Sequence, residues 1–279
     1  MSLPPGRPKP IPFARLDAGR GLHWLKVAYG MLSAARIQWL LLLLCYYLLL
    51  GLVDLIPFLG QLAAPILKPV FAVGFLAAAW SQERGETPRL RQLFQGFRSN
   101  LWALVPLGVV LLVGITVAVL GTSLVDGGRL LDAVSGKTKL DEALLSDDRV
   151  EAAMLFAVLC ALPVMLSLWF APALVVFQDC TALQALGTSL RASIANWKPI
   201  TVYGLLVFFF GGIVPGVITG LIALMAPESF ALTIALLLLM PYLSLFIATL
   251  HISDYVSYRD VFHAGEVHSA ETPVSTPPR

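Results

Sequence analysis

Apolar residues in this chain gather into long blocks, with polar residues confined between them. Six blocks stand out, at about 39–57, 61–80, 101–121, 152–178, 199–225 and 229–252. Each reaches about the 20 residues that an α-helix needs to cross the hydrocarbon core of a bilayer. In that core every backbone N–H and C=O must find a partner inside the segment, so blocks of this length predict helices. The expected fold class is an all-α polytopic membrane protein with about six transmembrane helices. The second block is the most irregular, because "PILKPVF" sets Lys68 between Pro65 and Pro69. A re-entrant segment is the alternative there.

Shorter stretches with helical apolar spacing precede every second block. Leu22, Leu25, Tyr29 and Leu32 lead into the first, Leu90, Leu93, Phe94 and Phe97 into the third, and Leu183, Leu186, Leu190 and Ile194 into the fifth. A tryptophan follows as each span begins: Trp39, Trp102 in "SNLW" and Trp197 in "ANWK". The intervening blocks each carry a proline near their middle: Pro69 in "KPVF", Pro163 in "LPVM" and Pro241 in "MPYL". One unit is thus used three times: an amphipathic lead-in helix, an outward span and a return span with a central proline. All copies run the same way, which predicts three parallel hairpin repeats.

The lead-in helices suit the membrane interface. Their apolar stripes enter the lipid boundary, while Arg and Lys meet anionic headgroups and Trp sits at that depth. The candidate lipid-interface residues are Arg20, Trp24, Lys26, Arg89, Arg91, Trp102 and Trp197. The alternative is that these segments are packed elbows between spans, and both readings can hold together.

Composition strengthens the membrane reading. Of 279 residues 58% are hydrophobic and only 13% charged, against about 25% charged in a soluble domain. The net charge of +2 gives no pull toward nucleic acid. The three cysteines, Cys45, Cys160 and Cys180, have neither a disulfide framework nor metal-ligand spacing. A single membrane domain over 14–263 is expected, flanked by disordered Pro-rich tails at 1–13 and 264–279. The start of the chain shows no early apolar core with a cleavage site, so no signal peptide is expected.

Charge asymmetry predicts orientation. Arg7, Lys9, Arg15, Arg20, Lys26 and Arg36 precede the first span, and Arg84, Arg89, Arg91 and Arg98 fall between the second and third. Arg191, Lys198 and Arg259 lie on the same side. The opposite side holds one loop, 122–151, whose basic residues are outnumbered by carboxylates. Both termini are therefore expected in the cytoplasm, with the 122–151 loop outside. That loop lacks calcium-loop spacing and reads as a small solvated cap.

Three features are candidates for chemistry. Proline removes a helical N–H and displaces the carbonyl four residues back, so the three central prolines either line a shared polar path or are packing bends. Lys68 is costly at mid-helix, and Asp54 is its natural partner; snorkelling to headgroups is the alternative. Lys68, Asp54, Pro69, Pro163 and Pro241 together form the candidate intramembrane polar site. In "GGIVPGVITG", Gly212, Gly216 and Gly220 share a face and are expected to let helices pack closely; a transporter-like helix break is the alternative.

The stretch "LHISDYVSYRDVFH" clusters His251, Asp254, Tyr255, Tyr258, Arg259, Asp260 and His263 over about three turns. It reads as a polar, tyrosine-rich collar at the cytoplasmic boundary, with Arg259 and Asp260 closing the bundle. Neither this stretch nor any other has metalloenzyme, nucleophile-elbow or phosphate-loop spacing. No enzyme activity, metal or cofactor is expected.

"GRGLHWLKVAYGMLSAARIQW", "PVFAVGF" and "YVSYRD", in that order, resemble a family of uncharacterised proteobacterial integral inner-membrane proteins. The layout over about 18–263 is also similar to that of the YciC-like six-span membrane proteins. The resemblance implies a bacterial inner-membrane location and no assigned reaction. The expected function is that of a non-enzymatic protein whose amphipathic helices organise lipid or dock partners, membrane lipids being its expected partners. The alternative is a transporter or channel with a path between the proline-kinked return helices near Lys68.

Overall fold

A computed structural model of the chain describes residues 11–56, 59–139 and 141–263. Among them the secondary structure is helical, with no strand. The helices are α1 (Arg20–Ala34), α2 (Arg36–Asp54) and α3 (Leu59–Glu83), then a 3-10 turn Leu90–Phe94 running into α4 (Gln95–Arg98). After them come α5 (Leu101–Asp126), α6 (Arg129–Val134), α7 (Glu142–Leu145), α8 (Asp148–Trp169), α9 (Ala171–Phe177) and α10 (Ala182–Ala195). The chain continues through α11 (Trp197–Phe208), a π-helical segment Phe209–Ile213, α12 (Val214–Met225) and α13 (Glu228–Phe262).

Among the described residues six stretches are long and apolar enough to cross a membrane: Arg36–Asp54, Leu62–Glu83, Leu101–Asp126, Asp148–Phe177, Trp197–Met225 and Ser229–Phe262. Each overlaps one apolar block of the sequence. The second is an unbroken helix through both prolines. Its 25 residues measure about 37 Å at 1.5 Å per residue, so the backbone does not double back as a re-entrant segment requires. The sixth continues past residue 252 to Phe262, because the polar "HISDYVSYRD" stretch extends the same helix.

Local signals account for the ends. Asn100 caps α5, its side chain accepting the Ala103 N–H at 3.2 Å. Gly127 ends that helix at φ 71°, a left-handed conformation that glycine adopts without a Cβ clash. The buried Asp126 then accepts the N–H groups of Gly128 (2.8 Å) and Leu130 (2.7 Å), which turns the chain into α6. Asp147 caps α8 by accepting the Arg149 N–H at 2.9 Å. The fourth span does not break at Pro163. It breaks at Phe170, where Ser189 bridges the gap: its hydroxyl accepts the Phe170 N–H (3.0 Å) and donates to the Leu166 carbonyl (2.9 Å).

The chain divides into two compact units. One comprises residues 50–71 and 96–190. Its centre is the hairpin of α5 and α8, where Gly114 lies against Val164 and Gly121 against Phe156. The first part of α3 joins it through Gly108, whose position leaves no room for a Cβ beside the Ile66 backbone. Gly96 is pressed in the same way against the Val70 carbonyl.

The other unit comprises, among the described residues, 11–49, 72–95 and 191–263. Here α1 packs on α13 and α11. Gly21 allows the approach, since a Cβ there would collide with the Pro199 carbonyl. Small residues at such contacts let helix backbones close on each other where no water drives association. Gly74 seats against Leu93 in the same unit.

The expected disordered tails, 1–13 and 264–279, lie mostly outside the described residues. Residues 11–13 are described, and Phe13 meets Phe262 edge-on at 6.3 Å while Ala14 N–H donates to the Val261 carbonyl at 2.7 Å.

Candidate functional site

The proposed intramembrane polar pair does not form. Lys68 and Asp54 are both exposed, and among the described residues no ion pair joins them. The central prolines do not share an environment either: Pro69 is buried, whereas Pro163 and Pro241 are exposed. All three helices continue through their prolines.

The glycine face of the fifth span also differs from expectation. A Cβ at Gly216 or Gly220 would meet nothing within 4 Å, and one at Gly212 would meet only Phe208 of the same span. The close contact is at the neighbouring Gly211, where a Cβ would stand 2.7 Å from the Phe246 ring. Composition marks where a helix can be approached, but the approach itself depends on which face turns inward.

The candidate lipid-interface residues separate into two groups. Lys26, Arg89, Arg91, Trp102 and Trp197 are exposed, Trp102 at 93%. Trp24 is corrected to an interior residue: it is 0% exposed, and its indole Nε1–H donates to Asp260 Oδ2 at 3.1 Å. Arg20 turns toward the same carboxylate at 3.5 Å. Trp39 is likewise interior, donating to Gln82 Oε1 at 2.7 Å, while Gln82 Nε2 donates to the Met31 carbonyl at 2.7 Å. A buried indole needs an acceptor for its N–H, and here polar side chains from distant helices supply it.

The C-terminal polar cluster is mostly interior packing. Tyr255, Tyr258 and Asp260 are buried. Asp260 Oδ1 lies 3.6 Å from Arg259 Nη2 and has no hydrogen bond of its own. Arg259 and the Tyr255 hydroxyl both meet Glu83 at the end of α3. His251 stacks on Phe75 with ring centroids 4.0 Å apart. Asn196, in "ANWK", is a further interior residue. Its side chain accepts the Leu16 N–H (2.8 Å) and donates to the Ala14 carbonyl (2.9 Å), which pins the segment before α1. The sequence signal for it is an asparagine just before a tryptophan, a pattern that by itself marks only a boundary.

Among the described residues no group of three or more His, Cys, Asp or Glu side chains could hold a metal ion. The three cysteines are free, and the Cys180 thiol is pushed up from its ordinary value by burial and then by Asp179.

A concave apolar surface remains. It is a groove of about 470 Å³ lined from α1 by Leu22, Leu25, Lys26 and Tyr29, and on the facing helices by Phe210, Tyr242, Phe246 and Thr249. The π-helical segment shapes one wall. There the Tyr242 hydroxyl donates to the Phe210 carbonyl at 2.6 Å, a group for which the widened turn changes the usual helical pairing. Lys26 brings the groove its positive charge.

The chain is 32% identical over 268 residues to a protein of Burkholderia thailandensis named as a probable inner membrane protein, covering 92% of this chain and 96% of the relative. No family model matches the sequence. No solved structure matches it either. Six apolar helices, near-complete alignment with that relative and a surface built for an apolar surrounding lead to one conclusion: the chain belongs to the family of inner-membrane proteins that the Burkholderia protein represents.

Proposed function

We propose that the protein is a non-enzymatic inner-membrane protein that gathers anionic lipid around the segments leading into its spans. The observation that carries this reading is the face that α10 leaves uncovered. This helix is not one of the six apolar stretches, yet Leu183 is 82% exposed and Ile194 58% exposed. Its hidden positions are small or polar: Ala185, Thr188, Ser189, Ala192 and Ser193. A helix that buries its hydroxyls and exposes its branched apolar residues gains by lying in the acyl region of an interface.

Cationic residues accompany such apolar residues at each lead-in. Arg191 and Lys198 are exposed near Ile194 in sequence, and Arg89, Arg91 and Arg98 are exposed around Leu90, Phe94 and Phe97. Each Lys or Arg held near an anionic leaflet contributes about 1 kcal/mol of attraction. The three lead-ins belong on the cytoplasmic side in this reading, with both termini there and the parallel hairpin unit used three times.

Reconstitution into nanodiscs of mixed phosphatidylcholine and phosphatidylglycerol tests the proposal. Spin-labelled lipids report the fraction of each that the protein immobilises. The native chain should favour the phosphatidylglycerol label, and combined Lys26→Glu, Arg89→Glu and Arg91→Glu replacement should abolish that preference. Equal preference in the native and reversed chains would remove the basis for the reading.

A further inference from the structure

We infer that the groove between α1 and the helices facing it is a specific site for one acyl chain of an anionic phospholipid, with Lys26 holding the phosphate. The inference deepens the lipid-organising reading and rests on it. It assigns one position, one chain and one cation to what is otherwise a diffuse preference.

Shape is the first argument. The groove has about 470 Å³ and is lined almost wholly by carbon: Leu22, Leu25, Phe210, Leu245 and Phe246. Along α13 it runs from Tyr242 to Thr249, about 10 Å of helix at 1.5 Å per residue. Tyr29 on α1 is exposed, and the two hydroxyls on α13 are already occupied. The Tyr242 hydroxyl donates to Phe210, and the Thr249 hydroxyl donates to the Leu245 carbonyl at 2.8 Å. Along the α13 wall a polar solute would find both hydroxyls committed, whereas a hydrocarbon tail needs no partner there. An unfilled trough of this kind would also forfeit dispersion contacts along its walls.

The surroundings and the charge supply the occupant. Phe210 belongs to the fifth apolar stretch and Tyr242 to Thr249 to the sixth, so lipid tails are the medium that meets this surface. The remaining wall comes from α1, which is not one of those stretches and bears the exposed Lys26. The site therefore joins span helices to a lead-in helix that carries a cation. A lysine with its stem against apolar surface and its ammonium at the margin matches a lipid whose tail and phosphate are joined.

The π-helical turn gives the groove its wall. Gly211 is pressed against Phe246, which holds the fifth span close to α13, and the extra residue in the turn places Phe210 among the lining residues. Such turns inside α-helices are common at functional sites.

Native mass spectrometry of the detergent-purified full chain tests the site, with dioleoyl-phosphatidylglycerol and dioleoyl-phosphatidylcholine as probes. The expected result is one phosphatidylglycerol retained more tightly than phosphatidylcholine. Lys26→Ala should reduce that preference about fivefold, the effect of one basic side chain. Leu22→Trp, which fills the groove from its exposed rim, should weaken both lipids together. Arg89→Ala with Arg91→Ala should leave this single adduct intact while lowering the wider preference seen in nanodiscs. If Lys26→Ala and Leu22→Trp retain the lipid as the native chain does, the groove is not the site, even where the nanodisc preference stands. Retention of detergent alone, with phosphatidylglycerol unable to replace it, would overturn the assignment too. Lys26 is exposed, so its variant keeps the test decisive should Leu22→Trp lower the melting temperature.

Discussion

Trp24 and Asp260, separated by 236 positions in the chain, meet through an indole hydrogen bond of 3.1 Å. Both are buried, and Arg20 and Arg259 approach the same carboxylate at 3.5 and 3.6 Å. The contact ties the first lead-in helix to the end of the last span. Removing the carboxylate leaves two guanidinium groups without it, and breaking a buried charge arrangement in this way costs about 3–5 kcal/mol. Asp260→Asn should therefore lower the melting temperature in detergent markedly. Trp24→Phe, which keeps the ring packing and loses the donor, should lose about 1.5–3 kcal/mol. Unchanged melting in both would show that this pair does not hold α1 to α13.

Glycines in this chain are predicted to fall into two classes. Gly21→Ala and Gly96→Ala each drive a methyl group into a backbone carbonyl, of Pro199 and Val70 respectively. Overpacking of this kind costs about 1–3 kcal/mol. Gly216→Ala and Gly220→Ala meet open space within the chain and sit inside a helix. They should be neutral or stabilise by about 0.5–1 kcal/mol. Unfolding curves of the four variants in one detergent compare the classes directly, and equal losses at all four positions would contradict the packing described.

Acid should release the start of α8. The Asp147 carboxyl is held below its ordinary range, first by the Arg149 backbone N–H and then by the Arg129 guanidinium, against the opposing effect of burial. A depressed folded value means that the cap's contribution is present above the ordinary carboxylate value near 3.9 and is lost as pH falls through the folded one. With the intrinsic pH dependence of amide exchange divided out, protection at Arg149 and Val150 should be flat between about pH 7 and 5 and fall below about 4. Asp147→Asn should flatten that dependence. A profile that keeps its acid limb in the variant would assign it to another group.

Lys68 and Asp54 should behave as independent residues. Each is exposed and no ion pair joins them. A double-mutant cycle with Lys68→Ala and Asp54→Ala should give a coupling within about 0.3–0.5 kcal/mol of zero, the range for separate sites. A larger favourable coupling would mean that the two meet in the bilayer.

The six apolar stretches were legible because hydropathy belongs to each residue separately and simply adds along a helix. The ends at Gly127 and Asp147 are set by caps a few residues away, beyond the 121 and 152 that hydropathy marks, because hydropathy registers apolarity and not capping. Tryptophans were not legible by that route. Trp102 and Trp24 have the same chemistry, yet one is 93% exposed and the other 0%. The difference lies in a carboxylate that the chain brings back from position 260.

From the order of residues alone came a helical chain suited to lipid, with six apolar stretches and polar connections between them. The tertiary structure decided which face of each helix turns inward. It set Trp24 and Trp39 inside, left Gly216 and Gly220 open, gave Lys68 no ion pair with Asp54 and opened the groove beside Lys26. The physical reason is that insertion into a membrane follows the sum of single-residue transfer energies, whereas packing follows pairwise fit between surfaces distant in sequence.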